Sequence, residues 1–173
     1  MSVSIFPVAP GDEAAFLAAV RHSRALFEGW LDPPDSPERF ASQLHKYSTD
    51  AGYSFLAKAS DGSLIGCINL NAIVRGPFQS AYLGYYAFAP NHGKGLMKAA
   101  LAAVIARAFG ELKLHRLEAN IQPANARSIG LVKALGFRLE GYSPRYLKID
   151  GTWRDHERYA ITAEEWNQKA TAP

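Results

Sequence analysis

Between two apolar stretches the chain carries Asn91-His92-Gly93-Lys94-Gly95-Leu96. Glycines at this spacing let a backbone come close to a ligand, and a helix that follows offers first-turn N–H groups to an anion. A pyrophosphate suits such a cradle. Spacing separates the cofactor classes that use one. A dinucleotide loop requires a third glycine where Lys98 stands, and a GxxxxGK[ST] loop requires Ser or Thr where Gly95 stands. What remains is a short GxG loop, equally compatible with a bound anion and with a plain strand-to-helix turn. His92 and Lys94 either meet that anion or face water. His22, His45 and His115 show no metal-ligand spacing, and the chain contains no HExxH, CxxC or nucleophile elbow. The expected chemistry involves neither a metal nor a covalent acyl-enzyme.

The 173 residues suit one domain, 1–173, with a real core and little room for another. Nearly half are hydrophobic and a fifth charged, which excludes disorder. The one cysteine, Cys67, lies in the apolar run Leu64 to Leu70 and reads as a small buried hydrophobe. The reading is therefore a reduced, cytoplasmic protein with no signal peptide or membrane span. A net charge of +3, with Lys and Arg scattered, gives no nucleic-acid stripe.

Hydrophobic spacing supplies the elements that must hold the loop. Glu13 to Phe27 reads as a helix with Asp12 as N-cap, and Ser36 with Pro37 starts a second. Tyr53 to Ala59, Leu64 to Ile73 and Ser80 to Phe88 read as strands, the first two joined by Ser60-Asp61-Gly62. After the loop come a helix over 96–109, a strand over 116–121 and a helix over 126–135 that stops at Gly136. Phe137 to Leu147 and Thr152 to Ile161 form a hairpin through Asp150-Gly151, and Thr162-Ala-Glu-Glu165 is a capping box for a last helix. Hairpins at both ends with strand-helix-strand units between them imply an α/β protein, a mixed α+β sheet with helices on both faces.

The stretches Gly93-Lys-Gly-Leu-Met, Asn125-Ala-Arg-Ser-Ile-Gly-Leu-Val-Lys-Ala-Leu-Gly-Phe137 and Glu140-Gly141 resemble the GNAT superfamily of N-acetyltransferases. Val74-Arg-Gly-Pro-Phe78, Tyr82-Leu-Gly-Tyr85, His115-Arg-Leu-Glu-Ala-Asn120 and Tyr146-Leu-Lys-Ile-Asp-Gly-Thr-Trp-Arg-Asp-His156 narrow the likeness. It becomes a likeness to the RimJ/RimL group of ribosomal-protein-alanine N-acetyltransferases, nearest to the RimJ branch, from about Leu64 onward. The resemblance implies the GNAT acyl-CoA N-acyltransferase fold, a splayed, mostly antiparallel sheet with pantetheine in the gap.

Laid on matching positions, the resemblance implies that Tyr86, Ala87 and Phe88 bond the arm through backbone groups. It places the pyrophosphate on Asn91, His92, Gly93, Lys94, Gly95, Leu96 and Met97. Asn125 reaches the arm from the other wall, or is a plain N-cap. Ser128 donates to the departing thiolate, and Glu118 is the leading base, or an outward-facing strand residue. An amide near Phe88 meets the oxyanion. Tyr85, Tyr146 and Trp153 shape the acceptor side, where Asp155 or His156 is an alternative base. Two positions depart from the pattern: Pro90 stands where relatives carry Arg or Gln, and Val132 where many carry a catalytic tyrosine. The implied co-substrate is acetyl-CoA, and the implied partner is a primary amine, a protein N-terminus before a polyamine, amino sugar or antibiotic. A non-catalytic acyl-CoA-binding module is the reading from another class. Monomer and homodimer stay open.

Overall fold

Apolar side chains at every second position make strands of Tyr53–Ala59 (β2), Leu64–Val74 (β3) and Ser80–Ala87 (β4). The β2–β3 turn is set by Asp61, whose carboxylate accepts the Ser63 amide at 2.9 Å, and by Gly62 at φ +82°. The computed structural model describes residues 2–171. Its first strand, Val3–Pro7 (β1), is followed by helices Glu13–His22 (α1), Arg24–Phe27 (α2) and Pro37–Lys46 (α3). After β4 come Leu96–Gly110 (α4), Arg116–Ile121 (β5), Ala126–Leu135 (α5), Arg138–Ile149 (β6), Thr152–Thr162 (β7) and Ala163–Thr171 (α6).

The strands form one seven-stranded sheet in the order β1-β2-β3-β4-β5-β7-β6. All neighbours are antiparallel except β4 and β5. One face carries α4 and α5, whose Ala100, Leu101, Val104, Ile105, Val132 and Leu135 are fully or almost fully buried against it. Burial on that scale contributes about 1.5–3 kcal/mol for each large aliphatic side chain. The other face carries α1–α3, packed through Phe16, Phe27 and Phe40 on Leu56, Tyr86 and Phe88. The β6–β7 turn uses Asp150 and Gly151, both left-handed at φ +48° and +76°, as a two-residue hairpin requires.

Two expectations near the N-terminus need correction. The helix expected over Glu13–Phe27 breaks at Ser23, whose hydroxyl donates to the Ala19 carbonyl at 2.7 Å and accepts the Ala89 amide at 2.9 Å. That hydroxyl competes with the helical ladder and ties the break to the start of the glycine loop. Asp12 does not cap α1; its carboxylate is taken by the Ala9 amide and by Lys58. Ser36 does cap α3, accepting the Arg39 amide at 3.3 Å. Among the described residues no helix is long and apolar enough to cross a membrane.

Candidate active site

β4 and β5 pair only over Ser80–Tyr82 and Arg116–Glu118. Beyond those residues β4 stays with β3 and β5 stays with β7, so the sheet parts between them. The Phe88 amide donates to the Ile65 carbonyl at 2.8 Å, which fixes the phase of the β3–β4 ladder. In that phase Tyr86 and Phe88 spend their peptide groups on β3, while Tyr85 and Ala87 turn theirs toward the gap. The expected backbone contacts are therefore corrected: Ala87 and Tyr85 offer the free groups, and the Phe88 amide is not available to an oxyanion.

A cavity of about 700 Å³ runs through the opening. Leu83, Gly84, Tyr85 and Tyr86 form one wall, and Asn120, Gln122, Asn125 and Ser128 the other. Asn125 Oδ1 accepts the Ser128 amide at 3.2 Å, so it is the N-cap of α5 and a lining residue at once. The cap holds Ser128 in the first turn, where its Oγ lies 2.6 Å from Tyr85 Oη. Tyr85 was expected on the acceptor side; its hydroxyl instead crosses the gap to α5. Burial pushes that phenol up to about 12, so it stays protonated. Val132 is fully buried in the core.

The part of the cavity on the α1–α3 face is polar and almost free of negative charge. Tyr47 Oη donates to Asn71 Oδ1, and Lys46 reaches the same oxygen at 3.1 Å. Among the described residues Asp32 is the one lining carboxylate, and Arg39 holds it at 2.7 Å. Two buried atoms have no partner among the described residues, Tyr86 Oη and Asn120 Oδ1. Sequence reasoning missed Asn120, although it shares the period-two face of Glu118 on β5. Tyr47 and Asn71 meet from separate elements, and no spacing announces them. Cys67 is sealed in this face, and burial raises its thiol, which leaves it a poor nucleophile.

The glycine loop divides into parts. Gly93 and Gly95 both sit at φ +76°, left-handed and open, and a Cβ on either would meet nothing within 4 Å. His92 and Lys94 are exposed beside them. Leu96 and Met97 are buried in the core, so they can offer a ligand only their first-turn amides. Asn91 is buried as well, its amide nitrogen donating to Ser63 Oγ at 2.9 Å and the Leu64 carbonyl at 3.0 Å. Its side chain anchors the loop to the β2–β3 hairpin through Nδ2, while its Oδ1 accepts from Lys94 Nζ at 3.5 Å. The peptide bond from Ala89 to Pro90 is cis.

Three further expected residues lie away from the cavity wall. Glu118 accepts from Arg116 Nε at 2.8 Å and belongs to a ladder that continues through Glu140 and Arg138 to Glu165. Trp153 is 57% exposed on β7, paired with Lys148. Tyr146 packs edge-on against His156, ring centroids 6.0 Å apart. Asp155 is bound by Tyr142 Oη and, at 2.7 Å, by the Arg145 amide, which together hold its carboxyl below the usual range. His156 does line the cavity and is 3% exposed.

Residues 3–138 match the family model described as an acetyltransferase (GNAT) domain. The chain is 39% identical to the probable N-acetyltransferase YjcK of Bacillus subtilis over 125 residues, 72% of this chain and 69% of that one. It is 42% identical to the [ribosomal protein uS5]-alanine N-acetyltransferase of Escherichia coli over 125 residues, 72% of this chain and 64% of that one. The chain thus matches about two thirds of the length of these relatives. The structure of Mycobacterium smegmatis RimJ in complex with CoA-disulfide superposes with a TM-score of 0.86 at 31% identity, covering 94% of this chain and 83% of that one. A family model that extends over most of the chain and ends just past α5 takes in both walls of the gap: the chain belongs to the GNAT acetyltransferases, and it is an acetyl-CoA-dependent N-acetyltransferase.

Proposed function

We propose that the chain moves the acetyl group of acetyl-CoA directly onto the α-amine of a protein N-terminus, with both substrates in the gap together. The observation that carries the reading is the cavity itself, which joins the Ser128 wall to an amide-lined chamber on the opposite face of the sheet. In this reading Tyr85 and Ala87 offer peptide groups to the extended arm. The open turn at Gly93 and Gly95 offers its backbone to the diphosphate. Ser128 gives its hydroxyl proton to the departing thiolate, with the Tyr85 phenol behind it. Glu118, held by Arg116, steadies β5 and does not act as the base.

The acceptor assignment rests on charge and on proton affinity. Freeing a neutral amine at pH 7 costs about 1.4 kcal/mol for an α-amine of pKa about 8, and about 4.6 kcal/mol for a lysine-type amine near 10.4. A polycation also calls for carboxylates. The chamber has Asp32 alone, already paired with Arg39, and it carries Lys46. Those features favour a peptide terminus over a polyamine. The name of the Escherichia coli relative agrees with that direction.

Thiol release from acetyl-CoA tests the assignment. With peptides beginning in Ala or Ser, an amino-blocked Lys peptide and spermidine offered in parallel, the free α-amines should give the highest kcat/KM. Preference for spermidine or the lysine amine would overturn it.

A further inference from the structure

Resting on that reading, we infer that His156 is the general base, taking the proton from the incoming α-ammonium through Nε2. His156 Nδ1 lies 3.0 Å from the Arg154 carbonyl. A carbonyl only accepts, so Nδ1 carries the hydrogen, and the neutral ring keeps its lone pair on Nε2. Nε2 has no partner among the described residues, and unlike Tyr86 Oη and Asn120 Oδ1 it is not sealed from solvent. Since His156 lines the cavity, that lone pair opens onto it. The Tyr146 ring, edge-on at 6.0 Å, fixes the imidazole from β6.

Its surroundings suit an ammonium. Asn120 pairs with Arg158 across β5 and β7, which makes Asn120 and His156 diagonal neighbours on one face, about 7–8 Å apart at Cα. An ammonium carries three donors. Asn120 and Tyr86 line the same cavity beside His156, which keeps this part of the wall polar. In the proposal Nε2 takes one of the ammonium protons. The freed nitrogen then attacks the thioester carbonyl, the N–C bond forms, and the C–S bond breaks. The second amine proton ends on the thiolate through the Ser128 and Tyr85 hydroxyls, and the imidazolium returns its proton to water. One proton leaves and one stays with the thiol, as the overall transfer requires.

The charged and titratable groups facing the ring are few. Tyr146 approaches from β6, Arg154 and Arg158 share the face of His156 on β7 while Asp155 and Glu157 alternate to the other, and Lys46, Tyr47 and the Asp32–Arg39 pair line the same cavity. The carboxylates that could compete are engaged elsewhere, Glu118 by Arg116 and Asp155 by Tyr142.

Two measurements test this. His156→Asn keeps a nitrogen donor for the Arg154 carbonyl and removes the base. Against the best amine found, its kcat/KM at pH 7 should fall about 100-fold or more, with acetyl-CoA affinity retained. The acid limb of the pH–rate profile should disappear in the variant. A retained limb, or a variant within a few-fold of the parent, would overturn the proposal. The second measurement needs neither a stable variant nor a known acceptor. Nitrogen-detected NMR of the intact protein should show the neutral His156 ring protonated at Nδ1 and bare at Nε2. A neutral ring protonated at Nε2 would overturn it. Failure of every α-amine peptide would instead count against the acceptor assignment alone.

Discussion

Ser128 and Tyr85 reach the gap from opposite walls, and their hydroxyls meet at 2.6 Å. Because Tyr85 stays protonated to about 12, it can keep Ser128 supplied with a proton at any physiological pH. Ser128→Ala should therefore lower kcat at least about 10-fold while leaving the KM for acetyl-CoA nearly unchanged, since a positioned acid acts only as the bond breaks. Tyr85→Phe should lower kcat less. Steady-state kinetics with one peptide acceptor would separate the two, and a Ser128→Ala enzyme with parental kcat would remove the assignment. Glu118→Gln is a companion experiment. Arg116 keeps Glu140 as its partner in that variant, so kcat should stay within about threefold, in line with the modest worth of partly exposed ion pairs. A collapse of kcat would return the base to Glu118. At this scale the sequence exposed Ser128 and Asn125 through one motif, and the structure puts both in the cavity wall. It could not show that Arg116 occupies Glu118, or that His156 lines the cavity with Nδ1 tied to the Arg154 carbonyl. Both rest on contacts only two residues apart, Arg116–Glu118 and His156–Arg154, so side-chain rotamers and not spacing decide them.

Elements carry the next level of the account. Asn125 ends the connection from β5 and starts α5 by accepting the Ser128 amide. Asn125→Ala should cost about 1 kcal/mol of stability, the usual worth of such a cap, and should also lower kcat by loosening Ser128. Thermal melts with kinetics on the same preparation would check both, and unchanged values would show that the cap positions nothing. The elements were the most legible part of the sequence. Period-two alternation and the helix signals at Asn125 and Gly136 placed β5 and α5 at the bounds observed. The break at Ser23 was not legible, because the residue that compensates it, Ala89, belongs to a loop more than sixty positions later. The corrected backbone contacts have the same origin. Which residues of β4 face the gap is set by the ladder phase against β3, and a strand pattern read alone leaves that phase undefined.

Across the whole molecule, one ladder of charges spans β5, β6 and α6 beside the gap. Within it Arg116, helped by Arg138, holds the Glu140 carboxyl below its usual range. A carboxyl lowered in the folded state contributes stability above its unfolded pKa of about 4.3 and loses it as pH falls through the folded value. Melting temperatures of the parent and Glu140→Gln should thus differ most near neutral pH and converge toward pH 3. A difference that stays constant with pH would show that the ion pair is not the cause.

The central claim is that the parted sheet and the glycine loop together hold coenzyme A, and calorimetry tests it most directly. Gly95 is left-handed with open space before it, so a glutamate there brings both backbone strain and negative charge to the diphosphate while the core stays untouched. The parent protein should bind CoA saturably with one site per chain, and folded Gly95→Glu should give no measurable heat. A parent that fails to bind, or a Gly95→Glu protein that binds as tightly, would contradict the account.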